Sequence, residues 1–214
     1  MPHELETKLN ARATDIMDAI LKGFRAEADV KGKLAEFYLA RVLDGLKAQG
    51  NIDRYEWHDK DGKPDFEVHV GGKILVVECK NVRAGAKHGD AVAAKVELQK
   101  TRNGEDAQGQ KTRGYTKDHF DLLAACTFNQ TGHWNFRFIS SLNLQTRPND
   151  PGILTVMQPV PYLDEGGWTG DLAALINVEI ARGGGRVPAP VVATVPKVKA
   201  AKGGGHQSTK VTKK

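Results

Sequence analysis

Long apolar runs and cysteines are both scarce in this chain of 214 residues. No stretch approaches the roughly eighteen consecutive apolar residues of a membrane-spanning helix, so the sequence predicts no membrane partner. The start of the chain is charged and does not resemble a secretory signal. Two cysteines, Cys79 and Cys126, are too few for a disulfide framework or a clustered zinc site. These absences favour a cytoplasmic protein with buried thiols.

The sequence patterns of ATPases and of histidine-based metal sites are missing as well. The sequence contains no Walker A pattern, which excludes a P-loop ATPase or helicase. Its seven histidines form neither a HExxH pattern nor a His-Asn-His constellation. We expect His69 to have a structural role.

The positive charge is concentrated at one end of the chain. Residues 183–214 hold seven basic residues and no acidic one, and the first 182 hold 24 basic against 26 acidic residues. The terminal segment is composed mainly of Gly, Pro, Ala, Val and Lys without periodicity, which is typical of disorder. We therefore expect one globular domain over 1–182 and a flexible basic tail over 183–214.

The hydrophobic pattern predicts an α/β domain with a mixed central sheet flanked by helices. Two N-terminal helices are expected within 4–49, one over 4–24 and one over 31–49. A short strand that begins at Arg54 and a hairpin follow, and together they cover 53–80. The remaining expectations are, in order, a helix over 91–102, a loop over 104–118, strands over 120–128 and 134–140, an extended segment over 153–163 and a closing helix over 169–181.

The hairpin brings acidic and basic side chains together. If Gly71 and Gly72 form a two-residue turn, Asp65 lies directly opposite Glu78, with Cβ atoms about 4.5–5.5 Å apart. Lys80 is two residues beyond Glu78 and so points to the same face. Two carboxylates this close repel each other unless a positive charge lies between them. A hard cation such as Mg²⁺, which takes carboxylate, carbonyl and water oxygens, would relieve that repulsion.

A solvated strand face carrying the same charges is the alternative interpretation. Residues 74–77 are apolar on both faces, as in a buried central strand. Charges at the end of a buried strand are costly and need compensation. This setting favours a functional site.

The string Pro64-Asp65, twelve intervening residues, then Glu78-Cys79-Lys80 resembles the signature of the PD-(D/E)xK nuclease superfamily. Upstream, Gly32 followed by Glu36 is similar to a helical pattern by which family members bring a further carboxylate to the metal. The resemblance covers about residues 30–82.

The resemblance implies a restriction-endonuclease-like core and Mg²⁺-dependent hydrolysis of DNA, with Mn²⁺ as a substitute and 5′-phosphate and 3′-hydroxyl product ends. Asp65, Glu78, Lys80 and Glu36 would then be catalytic. Asp65, Glu78, Glu36 and the backbone carbonyl of Cys79 would hold the metal.

A polar, basic segment follows the hairpin and is a candidate for DNA contact, because Lys and Arg bind phosphates and Gln or Arg can contact base edges. An exposed helix face and loop without a function is the alternative. The candidates are Lys95, Gln99, Arg102, Lys111, Arg113 and Tyr115. The basic tail either adds non-specific affinity through counterion release or serves only as a solubilising extension.

Three functions remain open at the level of sequence. The first is a restriction-type endonuclease that cuts double-stranded DNA site-specifically as a homodimer. The second is a Holliday-junction resolvase, a phage exonuclease or a repair nuclease with the same fold and chemistry. The third, from another class, is a non-catalytic DNA-binding module.

Overall fold

The protein is a mixed α/β structure with a central five-stranded sheet. The computed structural model describes residues 2–60, 63–85, 94–99, 104–105, 111–112 and 114–188. The helices are α1 Glu4–Leu9, α2 Ala13–Lys22, α3 Phe24–Ala48, α4 Phe128–Thr131 and α5 Leu172–Ala181, and Ser141–Asn143 form a 3-10 turn. The strands are β1 Arg54–Trp57, β2 Phe66–Val70, β3 Lys73–Asn81, β4 Lys95–Glu97, β5 Gly104–Glu105, β6 Lys111–Thr112, β7 Leu122–Cys126, β8 Phe136–Ser140, β9 Thr146–Arg147, β10 Asp150–Leu154 and β11 Met157–Pro159.

The central sheet has the order β1-β2-β3-β7-β8. β3 and β7 run parallel and the other neighbouring pairs are antiparallel. A parallel pair requires a long crossover between its strands, and the chain between Asn81 and Leu122 provides one. The predicted mixed sheet flanked by helices is confirmed.

Two hydrophobic clusters cover the two faces of the sheet. On one face, α3 and α5 pack through residues such as Leu39, Leu43 and Ile176 onto Phe66 and Leu75. The opposite face carries Val76, Leu123 and Ile139, which pack against the β4 and β11 region. β3 is therefore buried on both faces, as its continuous apolar run predicted.

The β2–β3 hairpin has the predicted register. Val70 pairs with Lys73 and Phe66 with Val77. Gly71 and Gly72 form the connection, with φ angles of +56° and +76°. Positive φ at both central residues is the geometry of a type I′ turn, whose twist matches that of the strands.

Four predictions of secondary structure were wrong in detail. The single helix expected over 4–24 is divided, because Asn10 adopts a left-handed conformation (φ +48°) that ends α1. The helix expected over 91–102 is absent at 95–97, where β4 pairs with β11; 91–93 and 100–102 lie outside the described residues. The loop expected over 104–118 contains the paired strands β5 and β6. The segment over 153–163 is divided between β10 and β11.

The predicted start of the tail at residue 183 is too early. Arg186 donates its backbone N–H to the carbonyl of Ile74 at 2.7 Å and accepts from the Ile74 N–H at 2.8 Å. Its guanidinium donates to the carbonyl of Asp118 at 3.1 Å. These contacts hold the segment beside the hairpin, and 189–214 lie outside the described residues. None of the described helices combines the length and apolar character needed to cross a membrane.

Gly72→Ala tests the turn. An L side chain at φ +76° is expected to reduce the free energy of unfolding by about 1–2 kcal/mol. As a control, Gly45→Ala lies within α3 with no heavy atom within 4 Å of an added Cβ, and should raise stability by about 0.5–1 kcal/mol. Urea unfolding measures both changes. A neutral Gly72→Ala would contradict the turn geometry.

Candidate active site at the end of the hairpin

Asp65 is positioned by the end of the β2–β3 ladder. It directly precedes β2, whose first residue, Phe66, pairs with Val77, so the same register brings Asp65 opposite Glu78. The backbone N–H of Cys79 donates to Asp65 Oδ2 at 2.7 Å. The predicted opposition of the two acids is therefore present, and one of them is fixed by a backbone hydrogen bond.

Lys80 lies beside both acids. Its Nζ is 2.5 Å from Glu78 Oε1 and 3.8 Å from Asp65 Oδ2. Residues i and i+2 of a strand share one face, which accounts for the convergence of Glu78 and Lys80. The structure thus brings Asp65, Glu78 and Lys80 together as the sequence predicted.

Burial shapes the electrostatics of this cluster. Burial, and then the neighbouring charge of Glu78, raise the pKa of Asp65 to about 6 from its ordinary value of 3.8, against an opposing effect of Lys80. Burial alone would lower the pKa of Lys80, but the charges of Glu78 and Asp65 outweigh it and raise that pKa above its ordinary value. Lys80 is consequently a stable cation beside two carboxylates that repel each other.

Tyr115 is a member of the site that sequence reasoning placed elsewhere. Its hydroxyl donates to Glu78 Oε1 at 2.6 Å, and the residue is only 9% exposed. Burial raises the pKa of Tyr115 above its ordinary range. The side chain is buried against Glu78 and is not part of an exposed segment, and its contact with DNA stays a prediction. It is 37 residues from Glu78 in the chain, and no local pattern links the two.

Glu36 comes from α3 and reaches the neighbourhood of Asp65. Its Oε2 accepts hydrogen bonds from Lys33 Nζ at 2.9 Å and from the indole N–H of Trp57 at 2.8 Å. Its negative charge is among the smaller causes of the raised pKa of Asp65. Among the described residues, however, Glu36, Asp65 and Glu78 do not form a group with all ligand atoms within 4.8 Å. Lys33 and Trp57 hold Glu36 at the margin of the cluster.

The side chains fit a hard divalent cation by their chemistry. Asp65 and Glu78 supply two carboxylates, and Mg²⁺ is commonly bound by one or two carboxylates together with water and phosphate oxygens. Burial and the charge of Glu78 raise the pKa of Asp65, and a cation bound between the two carboxylates would offset both effects. Glu36 is a third carboxylate at the margin of the cluster. The carbonyl of Cys79 as a ligand stays a prediction.

The remaining candidates for DNA contact are only partly described. Lys95 is exposed on β4, and Gln99 is partly exposed directly after it. Lys111 belongs to β6. Arg102 and Arg113 lie outside the described residues. The interface with nucleic acid therefore stays a prediction.

Comparisons with known proteins add little to this geometry. No protein-family model and no curated protein matches the sequence. Among solved structures, the bacterial homing endonuclease I-Ssp6803I aligns with a TM-score of 0.44 and 15% identity, over 72% of this chain and 94% of that chain. A similarity at this level does not establish a common fold, and we base the functional proposal on the side chains of the site.

Asp65→Asn tests the electrostatics. The pKa of Asp65 in the folded chain is about 6, above its ordinary value of 3.8. Protonated Asp65 therefore favours the folded state at low pH, and this contribution to the free energy of unfolding is lost as the pH rises through about 6. In EDTA, the variant should therefore gain stability relative to the unmodified chain between pH 4 and pH 7. Thermal unfolding at both pH values measures the change. The exposed Asp29→Asn on α3 should show no such pH-dependent difference; a flat response of Asp65→Asn would contradict the assignment.

Tyr115→Phe tests the hydrogen bond to Glu78. Removing the hydroxyl should lower the free energy of unfolding by about 1.5–3 kcal/mol, the range for hydrogen bonds to charged groups. The ring of Tyr38 stacks on Trp134, and its hydroxyl has no hydrogen bond within the described residues, so Tyr38→Phe should change stability by less than about 0.5 kcal/mol. Urea unfolding compares the two. Equal effects would show that the Tyr115 hydroxyl does not support the site.

Proposed function

We propose that this protein is a divalent-metal-dependent DNA endonuclease, with Asp65, Glu78 and Lys80 as its catalytic core. The observation that carries the proposal is the convergence of two carboxylates and an ammonium group at the end of a buried strand. The resemblance of Pro64-Asp65 and Glu78-Cys79-Lys80 to the PD-(D/E)xK signature supports the reaction class. Mg²⁺ is the proposed cofactor, with Mn²⁺ as a substitute.

The protein side chains have distinct parts in the proposed mechanism. The N–H of Cys79 orients Asp65, and the hydroxyl of Tyr115 orients Glu78, so both carboxylates are fixed before substrate arrives. When bound, the metal supplies Lewis-acid polarisation of a phosphoryl oxygen and acidifies water. Lys80 retains its proton and stabilises the negative charge that develops on the phosphate in the transition state.

Glu36 is proposed as an accessory carboxylate. It lies close enough to raise the pKa of Asp65, and its hydrogen bonds to Lys33 and Trp57 restrict its orientation. If released from these hydrogen bonds, Glu36 would be a candidate third carboxylate for the metal. Tyr115 and Trp57 are positioning residues in this arrangement, because they act through Glu78 and Glu36.

The finer proposal is a restriction-type enzyme that cuts double-stranded DNA site-specifically as a homodimer, because two active sites are needed to cut two strands. A junction resolvase, phage exonuclease or repair nuclease would use the same side chains on other substrates. The free, buried thiols of Cys79 and Cys126 support a reducing cytoplasmic location. A non-catalytic DNA-binding module has no need of the complete Asp, Glu and Lys set.

Metal-dependent digestion of plasmid, single-stranded and branched DNA tests the proposal. Cleavage should require Mg²⁺ or Mn²⁺ and stop in EDTA. Asp65→Ala, Glu78→Ala and Lys80→Ala should each lower the rate by at least about 10²-fold, because each removes a group that stabilises the transition state. Lys22→Ala, an exposed cation on α2, is the control and should cut at the normal rate.

The products separate the alternatives. Discrete bands from plasmid DNA indicate a restriction-type enzyme. Selective cutting of four-way junctions indicates a resolvase, and progressive shortening of DNA from its ends indicates an exonuclease. DNA binding without cleavage of any substrate would contradict the nuclease proposal and favour the binding module. Full activity in any one alanine variant would remove that residue from the catalytic core.

A further inference from the structure

A second group of potential metal ligands lies on the outer hairpin formed by β1 and β2. Glu56 and Glu67 are directly opposed across the two strands. His69 lies two residues beyond Glu67, and therefore on the same face. The ligand atoms of Glu56, Glu67 and His69 all lie within 4.8 Å of one another. No other group of three or more His, Cys, Asp or Glu in the described part of the chain meets this criterion.

The histidine at this site is buried without a hydrogen-bond partner at Nε2. His69 is 9% exposed, and its Nε2 has no hydrogen bond within the described residues. This nitrogen lies 3.4 Å from Glu56 Oε1. A buried polar atom without a hydrogen bond loses its hydration without full compensation, and the Glu56 carboxylate at 3.4 Å is the charged group beside Nε2.

A neighbouring histidine repeats the same arrangement. His58 Nε2 is also buried without a hydrogen bond in the described structure, and it lies 3.5 Å from Glu67 Oε2. Ligand atoms about 2.1 Å from a tetrahedral ion are about 3.4 Å apart. The separation of His69 Nε2 from Glu56 Oε1 therefore matches the spacing of two ligands around one ion, whereas His58 lies outside the group whose ligand atoms are all within 4.8 Å.

The charges of the group are incompletely balanced by protein side chains. Directly opposed carboxylates destabilise a hairpin, and Glu56 and Glu67 form such a pair. The Arg54 guanidinium contacts Glu56 Oε1 and lowers the pKa of Glu56. Arg54 is more than half exposed, so its side chain can be displaced into solvent when a cation approaches Glu56.

We propose that Glu56, Glu67 and His69 form a binding site for one Zn²⁺ ion, separate from the Asp65–Glu78 pair. Imidazole together with carboxylates favours zinc over Mg²⁺, which prefers all-oxygen ligands. Three protein ligands leave the fourth tetrahedral position for water. The ion would tie the edge strand β1 to β2, two residues from Asp65. This site does not depend on the proposed nuclease function.

Zinc titration of the full chain by isothermal calorimetry tests the proposal. One Zn²⁺ should bind per chain, and a large excess of Mg²⁺ should not displace it. Loss of a supporting group in a metal site typically costs about 10–100-fold in affinity, so His69→Gln and Glu67→Gln should weaken binding by at least about tenfold. Far-UV circular dichroism checks that both variants are folded.

Two controls separate this site from other ligands. His133→Gln, an exposed histidine after α4, should leave the affinity unchanged. Asp65→Asn combined with Glu78→Gln should also leave it unchanged, and this double variant separates the zinc site from the proposed catalytic metal. Unchanged affinity in His69→Gln and Glu67→Gln, or loss of the zinc in the double variant, would overturn the proposal.

Zinc-edge X-ray absorption of the unmodified chain provides a readout that needs no variant. The expected spectrum has imidazole scattering and a first shell of nitrogen and oxygen at about 2.0–2.2 Å. A first shell without imidazole, or one that contains sulfur, would refute the assignment even if the variants fail to fold.

Discussion

Two buried carboxylates face each other at the end of the β2–β3 hairpin, and the organisation of the site follows from their repulsion. Asp65 and Glu78 are each largely removed from water, so their charges interact strongly. Lys80, Tyr115 and the N–H of Cys79 supply the positive charge and hydrogen bonds around them. Burial and the charge of Glu78 nevertheless raise the pKa of Asp65, which is the electrostatic situation that a bound cation would relieve.

The outer hairpin, formed by β1 and β2, also brings two carboxylates directly opposite each other. Glu56 and Glu67 are opposed across β1 and β2 as Asp65 and Glu78 are across β2 and β3. The compensating groups differ, because histidines flank the first pair and a lysine the second. Asp65 directly before β2, and Glu67 and His69 within it, thus occupy alternate positions, which all project from one face. This alternation puts residues of the proposed catalytic site and of the proposed zinc site next to each other along the chain.

The fold gives these side chains their fixed geometry. β3 is buried on both faces, so its carboxyl-terminal residues emerge from a strand that cannot shift without disrupting both clusters. The Arg186 segment pairs with Ile74 at the opposite end of β3. α3 packs through Leu39 and Leu43 against the same sheet, and this packing brings Glu36 near Asp65. A rigid support of this kind is what a preorganised site requires.

Sequence alone determined the local features, because a two-residue glycine turn and the alternation of side chains in strands are short-range constraints. They fixed the register of the hairpin and placed Asp65, Glu78 and Lys80 on one face. The same reasoning failed for 95–97, where β4 forms by pairing with the distant β11. It also missed Tyr115 beside Glu78, and Lys33 and Trp57 around Glu36. Those contacts, like the unpartnered nitrogen of His69, depend on how separate elements pack, and only the tertiary structure decided them.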